Sequence, residues 1–301
     1  MTASIQQIQK AAQGWSIEVT PAGAAKIDSF AACLSPGTTV NVTFLPGTDP
    51  LDTVGVAKRL YNEGMKAVPH LAARSLKDAD QLDELLVAYR DEAGVNEVLV
   101  IGGGVDQPVG AFDNSLQVLE TGLLQKHGIR RVGVAGHPEG SPDIAKIEIA
   151  EALLAKNALA KRDGLEMYIE TQFCFEAAVV FEWEKNVREA GNELPIRIGI
   201  PGPATIKTLF RFAQISGIGP SMRFVSKQAR NVAKLMTVQS PHLLLSDLAE
   251  GMASDPNCLI EDLHFYPFGG FAKTAVYANA IASGNIQLLP KGGFDVIAPP
   301  A

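Results

Sequence analysis

The chain has 301 residues, 47% of them hydrophobic and 20% charged, enough to bury one large core. Its formal net charge is −7, from 26 Lys plus Arg against 33 Asp plus Glu. Such a surface repels a phosphate backbone, so nucleic acid is not an expected partner, while a small anion held by a few local cations remains open.

Cys33, Cys174 and Cys258 lie far apart and form no CxxC pair. That argues against a zinc site or a disulfide framework, and for a reducing compartment. No apolar run reaches the length of a membrane span, and MTASIQQIQKAAQGW lacks the apolar centre of a signal peptide. The expectation is a soluble, cytoplasmic protein with no membrane partner; self-association stays open.

A helix is expected at about 3–13, followed by eight apolar runs of strand length. They are 16–21 (SIEVTP), 39–46 (TVNVTFLP), 66–72 (KAVPHLA), 97–103 (EVLVIGG), 130–136 (RRVGVAG), 167–173 (MYIETQF), 195–202 (PIRIGIPG) and 262–269 (DLHFYPFG). Segments such as VLVI and RIGI are apolar on both faces, as in parallel strands covered on both sides. Helical patterns at 51–64, 77–94 and 115–128 lie between them and end in Gly64, Gly94 and Gly128, good C-terminal caps. Eight strand-helix units without a linker predict one α/β domain over 1–301, a (β/α)8 TIM barrel; a doubly wound open sheet is the competitor. The gap at 203–261 is expected to hold three extra helices, 204–217, 221–236 and 242–254.

Ligands of such barrels sit at the C-terminal strand ends. Those ends offer Glu18, Thr43, His70, Gly102, Gly103 and Gly104 with Asp106, His137 with Glu139, Gln172, the Gly199–Pro203 turn, and His264 with Tyr266. The three glycines do not make a dinucleotide fingerprint, because Gln107 stands where the last glycine belongs. They form either a tight turn or a close backbone approach to a flat ligand. On a helical wheel of 147–163, at about 100° per residue, Ile147, Ala150, Leu153, Leu154 and Ala158 share a face with Asn157 and Lys161. An amide and an ammonium in a buried stripe need partners, so either Lys161 reaches the rim and Asn157 caps a neighbour, or both hold an anion or a polar cofactor tail; the latter is the expectation.

No strand end offers a Schiff-base lysine, and no GxSxG elbow exists. A metal held by His70, His137 and His264 is only weakly signalled, and none is expected. Gln172, set between Thr171 and Phe173, carries a donor and an acceptor suited to the mixed edge of a pterin or a carboxamide; a satisfied interior amide is the alternative.

Together these residues resemble the methylenetetrahydrofolate reductase family over roughly 15–285. The resemblance rests on IEVTP (17–21), VTF (42–44), PHL (69–71), HPE (137–139), Asn157 and Lys161 in N-x-x-x-K, TQF (171–173), GI-x-x-P (199–203) and HFY (264–266). It implies a (β/α)8 barrel that passes a hydride from NADH or NADPH through FAD to 5,10-methylenetetrahydrofolate. It assigns Glu18 to the acid that protonates the folate N10. Gln172 matches the residue that reads the pterin or nicotinamide, and Phe212 and Tyr266 fall at substrate-binding positions. Thr43, His70, His137, Glu139, Asn157 and Lys161 match flavin contacts.

This chain also departs from the family. Gly102, Gly103 and Gly104 replace an Arg-Gly-Asp, leaving Asp106 to stand in for the acid. Ser141 and Leu154 replace a His and an Asp, and Gly269-Gly270 stands near a family Arg. The resemblance therefore allows FAD bound through fewer contacts, or direct hydride transfer from the nicotinamide to folate. A folate-using group-transfer barrel is the competing function.

Overall fold

In the computed structural model, residues 3–215 and 236–297 are described. Eight parallel strands close into a barrel: β1 (Ser16–Val19), β2 (Thr39–Val42), β3 (Lys66–Ala72), β4 (Glu97–Ile101), β5 (Arg131–Gly136), β6 (Glu166–Phe173), β7 (Ile196–Pro201) and β8 (Ile260–Tyr266). Their order around the barrel is β1-β8-β7-β6-β5-β4-β3-β2. The open-sheet alternative is thereby set aside, and the (β/α)8 expectation holds.

The strands form where the sequence is Val- and Ile-rich on both faces, and the strand centres are buried throughout, as for Val98–Val100 and Ile198–Ile200. Register fixes which side chains share a face. Glu18 pairs with Asn41 and Val19 with Val42, while Asn41 pairs in turn with Val68.

The chain divides into two compact units, 16–135 with 152–170, and 1–15 with 136–151 and 171–301. In the first, the helix Pro50–Asn62 has Asp49 accepting from the Leu51 N–H at its start. The helix Ala79–Ala93 ends on Gly94 in the left-handed conformation, as the glycine implied. The expected helix 115–128 is instead two short ones, Ser115–Glu120 and Leu123–Lys126. Gly122, at φ 72°, opens the second, and a residue in that conformation cannot continue a right-handed helix.

In the second unit the N-terminal helix is Ile5–Ala11, opened by a reciprocal cap between Ser4 and Gln7. The inserted segment before β8 contains Ile206–Ile215 and His242–Ser254. The expected helix 221–236 and the end of 204–217 fall outside the described residues. Two short antiparallel pairs were not foreseen: Ala204–Thr205 with Val238–Gln239, and Ile286–Leu288 with Phe294–Val296. Among the described residues no helix is long and apolar enough to cross a membrane.

The helix Lys146–Asp163 corrects the wheel. Ile147 and Leu154 are 65% and 44% exposed, and Ala150, Ala158 and Lys161 are exposed too. The buried residues are Lys156, Asn157, Leu159 and Ala160. Alanine and leucine occur all around this helix, so apolar periodicity did not mark its inner side.

Lys156, which the wheel passed over, is only 7% exposed, and burial lowers its ammonium to about 8. A lysine whose folded value lies below its unfolded one destabilises the fold below that value, and the penalty fades as pH rises through about 8 toward 10.5. Lys156→Met is therefore expected to raise stability at pH 7 by about 1–3 kcal/mol, read from urea melts, and to do so much less at pH 10. An unchanged or lowered midpoint at pH 7 would show that the ammonium is compensated.

Candidate active site

In the first unit the chemistry gathers around Glu18, at the end of β1. Thr43, one residue past β2, donates from Oγ1 to Glu18 Oε2 at 3.1 Å. The Thr43 N–H is fixed in turn by the Val19 carbonyl at 2.9 Å. Glu18 keeps part of its surface to solvent, yet the protein packed around its carboxyl desolvates it. Burial raises Glu18 to about 7; the Thr43 bond pulls down, and the charge of Glu170 pushes further up.

Asn41 and Glu170 complete this group, and sequence reasoning singled out neither. Asn41 Nδ2 donates to Glu170 Oε1 at 2.6 Å and lies 3.4 Å from His70 Nε2. Asn41, Glu170 and His70 are 0%, 4% and 8% exposed. β2 and β6 are separated by three strands in the sheet, so a bond between them runs through the barrel interior. A polar residue inside an otherwise apolar strand, such as Asn41 in TVNV, was the signal available.

The end of β4 is bare of side chains. Gly103 has φ 96°, and a Cβ there would meet Ala72 Cβ at 3.3 Å; the Gly102 carbonyl accepts from the Arg74 N–H at 2.9 Å. Asp106 stands exposed in the following loop, with no hydrogen bond or ion pair among the described residues. Asn157 donates to the Leu153 carbonyl of its own helix at 2.9 Å.

In the second unit, Gln172 is held by its backbone. Thr171 Oγ1 donates to the Gln172 carbonyl at 2.8 Å and accepts from the Gly199 N–H at 2.9 Å, while Tyr266 Oη donates to the Thr171 carbonyl at 3.0 Å. The Gln172 side chain is half-buried, and its amide makes no hydrogen bond among the described residues. Phe173 alternates away into a cluster with Phe175, Ile206 and Leu209.

Four rings build an aromatic wall in this unit. Phe212 stacks on Phe268 with centroids 4.5 Å apart at 28°; Phe268 meets Phe173 edge-on at 4.9 Å, and Tyr266 meets Phe173 at 5.3 Å. Phe268 has φ 48°, a left-handed conformation rare for an aromatic residue. His137 and Glu139 are half-buried after β5, and Glu139 adds to the burial that raises the Cys174 thiol. His264 is fully buried, which with the Arg197 charge holds its imidazole well below the usual range. Among the described residues no cluster of His, Cys, Asp and Glu could hold a metal.

The sequence profile described as methylenetetrahydrofolate reductase matches residues 25–267. The chain belongs to the methylenetetrahydrofolate reductase family. Membership places it among enzymes that act on folate. Solved structures resemble it at low identity. A protein of uncharacterized function from Clostridium thermocellum, which binds two copies of 5-methyl-5,6,7,8-tetrahydrofolic acid, shares 13% identity at TM-score 0.56, covering 90% of this chain and 98% of its own. At that identity the likeness speaks for the fold. Yersinia pestis DHPS with a pterine-sulfa conjugate matches at 14% identity and TM-score 0.45, over 94% of this chain and 100% of its own. Tryptophan synthase from M. tuberculosis matches at 14% and 0.40, over 83% and 99%.

Proposed function

We propose that this family member reduces 5,10-methylenetetrahydrofolate to 5-methyltetrahydrofolate with NADH or NADPH. The observation that carries this reading is Glu18, a carboxyl at a strand end that keeps its proton up to about pH 7. The reaction needs such a group. A proton delivered to the folate N10 breaks the bond from N10 to the bridging carbon and leaves an N5 iminium; hydride then adds to that carbon and forms the methyl group. A carboxyl near neutrality can hold the proton and still give it up.

Gln172 supplies a free donor and acceptor for the ring that carries the amide edge, and Phe212 and Tyr266 supply apolar surface for aromatic parts of the substrate. The folate bound by the Clostridium thermocellum protein supports the same substrate class here. Asp106 is exposed, and the proposal leaves the proton to Glu18.

FAD is the hydride carrier that the family implies, and the residues here fit it only in part. Lys161 is an exposed cation suited to a diphosphate, and Gly102–Gly104 would admit a flat ring. Thr43 and His70, however, face the Glu18 group, and Asn157 bonds its own helix. When bound, FAD would relay hydride between nicotinamide and folate. These engaged contacts favour a second reading, in which the nicotinamide reduces folate directly; both give the same net reaction.

The test is NADH and NADPH oxidation by purified protein with and without methylenetetrahydrofolate and FAD, with the methyl product identified by mass. A visible spectrum of the protein as purified decides between the two hydride routes. Absence of turnover under every flavin loading, with folate binding but no nicotinamide binding in calorimetry, would replace the reductase by a group-transfer enzyme. Gln172→Ala is expected to raise the folate KM by about tenfold, the loss of roughly one hydrogen bond, with a smaller effect on kcat. An unchanged KM would return Gln172 to a packing role.

A further inference from the structure

The acid site contains a second carboxylate that the proposed reaction does not itself use. Glu170 lies on β6, 4% exposed, and its Oε1 accepts from Asn41 Nδ2 at 2.6 Å. Asn41 is the register partner of Glu18 across β1 and β2. Paired residues of neighbouring strands leave the sheet on the same face, with strands about 4.8 Å apart. Glu18 and the amide that grips Glu170 are therefore adjacent inside the barrel. Burying a carboxylate costs several kcal/mol unless a donor compensates it, so a second one beside the first calls for a reason.

We propose that Glu170 is a positioning residue of the acid site: Asn41 anchors its carboxylate so that the negative charge beside Glu18 keeps the proton on the Glu18 carboxyl. The proposal rests on the reductase reading and deepens it. The direction agrees with the electrostatics. Burial does most to raise Glu18, the Thr43 hydrogen bond opposes it, and the Glu170 charge adds to the rise. Thr43 steadies the ionised form and Glu170 disfavours it, so the two neighbours set the proton affinity between them.

Other charged groups on the barrel strands include Lys66 on β3, Glu97 on β4 and Glu261 on β8. His70 on β3 lies against Asn41. Arg131 on β5 is stacked on Tyr168, with Nε 3.4 Å from Glu166. β7 carries Arg197, and β8 carries Asp262 and His264.

The experiment follows the Glu18 carboxyl directly, by infrared difference spectroscopy of the resting protein across pH. The C=O band of the protonated acid is identified as the one lost in E18Q. In E170Q, which removes the charge and keeps an acceptor for Asn41, the band is expected to vanish at a pH lower by about half a unit to one unit. The alkaline limb of kcat/KM should move down by the same amount. A midpoint unmoved in E170Q overturns the proposal.

Circular dichroism checks that E170Q is folded. Should it fail to fold, E170A takes its place: it removes the same charge, and the Glu18 midpoint is expected to fall, an unmoved one again overturning the proposal. The titration needs no turnover. A shifted midpoint in a protein with no reductase activity would sink the reductase reading and leave the pairing of the two carboxyls intact.

Discussion

Glu18→Gln is expected to lower kcat for methylenetetrahydrofolate reduction by about 100- to 1000-fold, the usual worth of a positioned general acid. Glutamine has the same shape and keeps an oxygen for the Thr43 hydroxyl, which donates to Glu18 at 3.1 Å. The folate KM should accordingly change little. What is lost is the transferable proton.

The pH dependence has a definite sign. Glu18 holds its proton below about pH 7 and loses it above, so the wild-type rate should fall as pH rises through that value. The residual rate of the variant should lack this limb. Steady-state nicotinamide oxidation between pH 6 and 9 gives both numbers. A variant that retains most of the rate, or an unchanged alkaline limb, would remove Glu18 from the chemistry.

Gly199→Ala is expected to destabilise the protein by about 2–4 kcal/mol and to impair folate binding in whatever folded protein remains. A Cβ at this position would lie 2.5 Å from the Thr171 carbonyl oxygen, 2.7 Å from the Gln172 carbonyl oxygen and 2.7 Å from Tyr266 Cε2. Two of those neighbours are backbone, so little can move aside. The clash also strikes the atoms that aim Gln172, since the Gly199 N–H donates to Thr171 Oγ1 and Tyr266 Oη donates to the Thr171 carbonyl.

Gly104→Ala is the natural control, because nothing lies within 4 Å of the place its Cβ would take and its φ is ordinary. Thermal melts of the two variants should differ by several degrees, with Gly104→Ala close to wild type. Equal melting of both would mean that β6 and β7 adjust to the added methyl.

The barrel was legible because its strands are short Val- and Ile-rich runs, and because glycines such as Gly94 stop the helices between them. Two misreadings have the same origin, a pattern too uniform to carry direction. Ala and Leu surround the helix Lys146–Asp163, and its exposed Ile147 and Leu154 looked like core. The segment 115–128 reads as one helix because only its terminal Gly128 marks a stop in the pattern, whereas Gly122 inside it adopts a left-handed conformation.

Glu18, Thr43 and His70 were visible as polar strand ends. Asn41 and Glu170 were not, because their strands were read as apolar runs and the bond between them joins positions 129 residues apart in the chain. No local pattern encodes that bond; barrel closure creates it.

The turn after β8 has a consequence for recognition. Phe268 occupies a backbone conformation that glycine adopts freely and an aromatic residue rarely does, between Pro267 and Gly269. Its ring is wedged against Phe173 and Phe212. A side chain confined in this way has little torsional freedom left to surrender when a flat molecule lies against it. Such preorganisation lets a rigid aromatic face contribute to affinity without the entropic penalty that a mobile loop would carry.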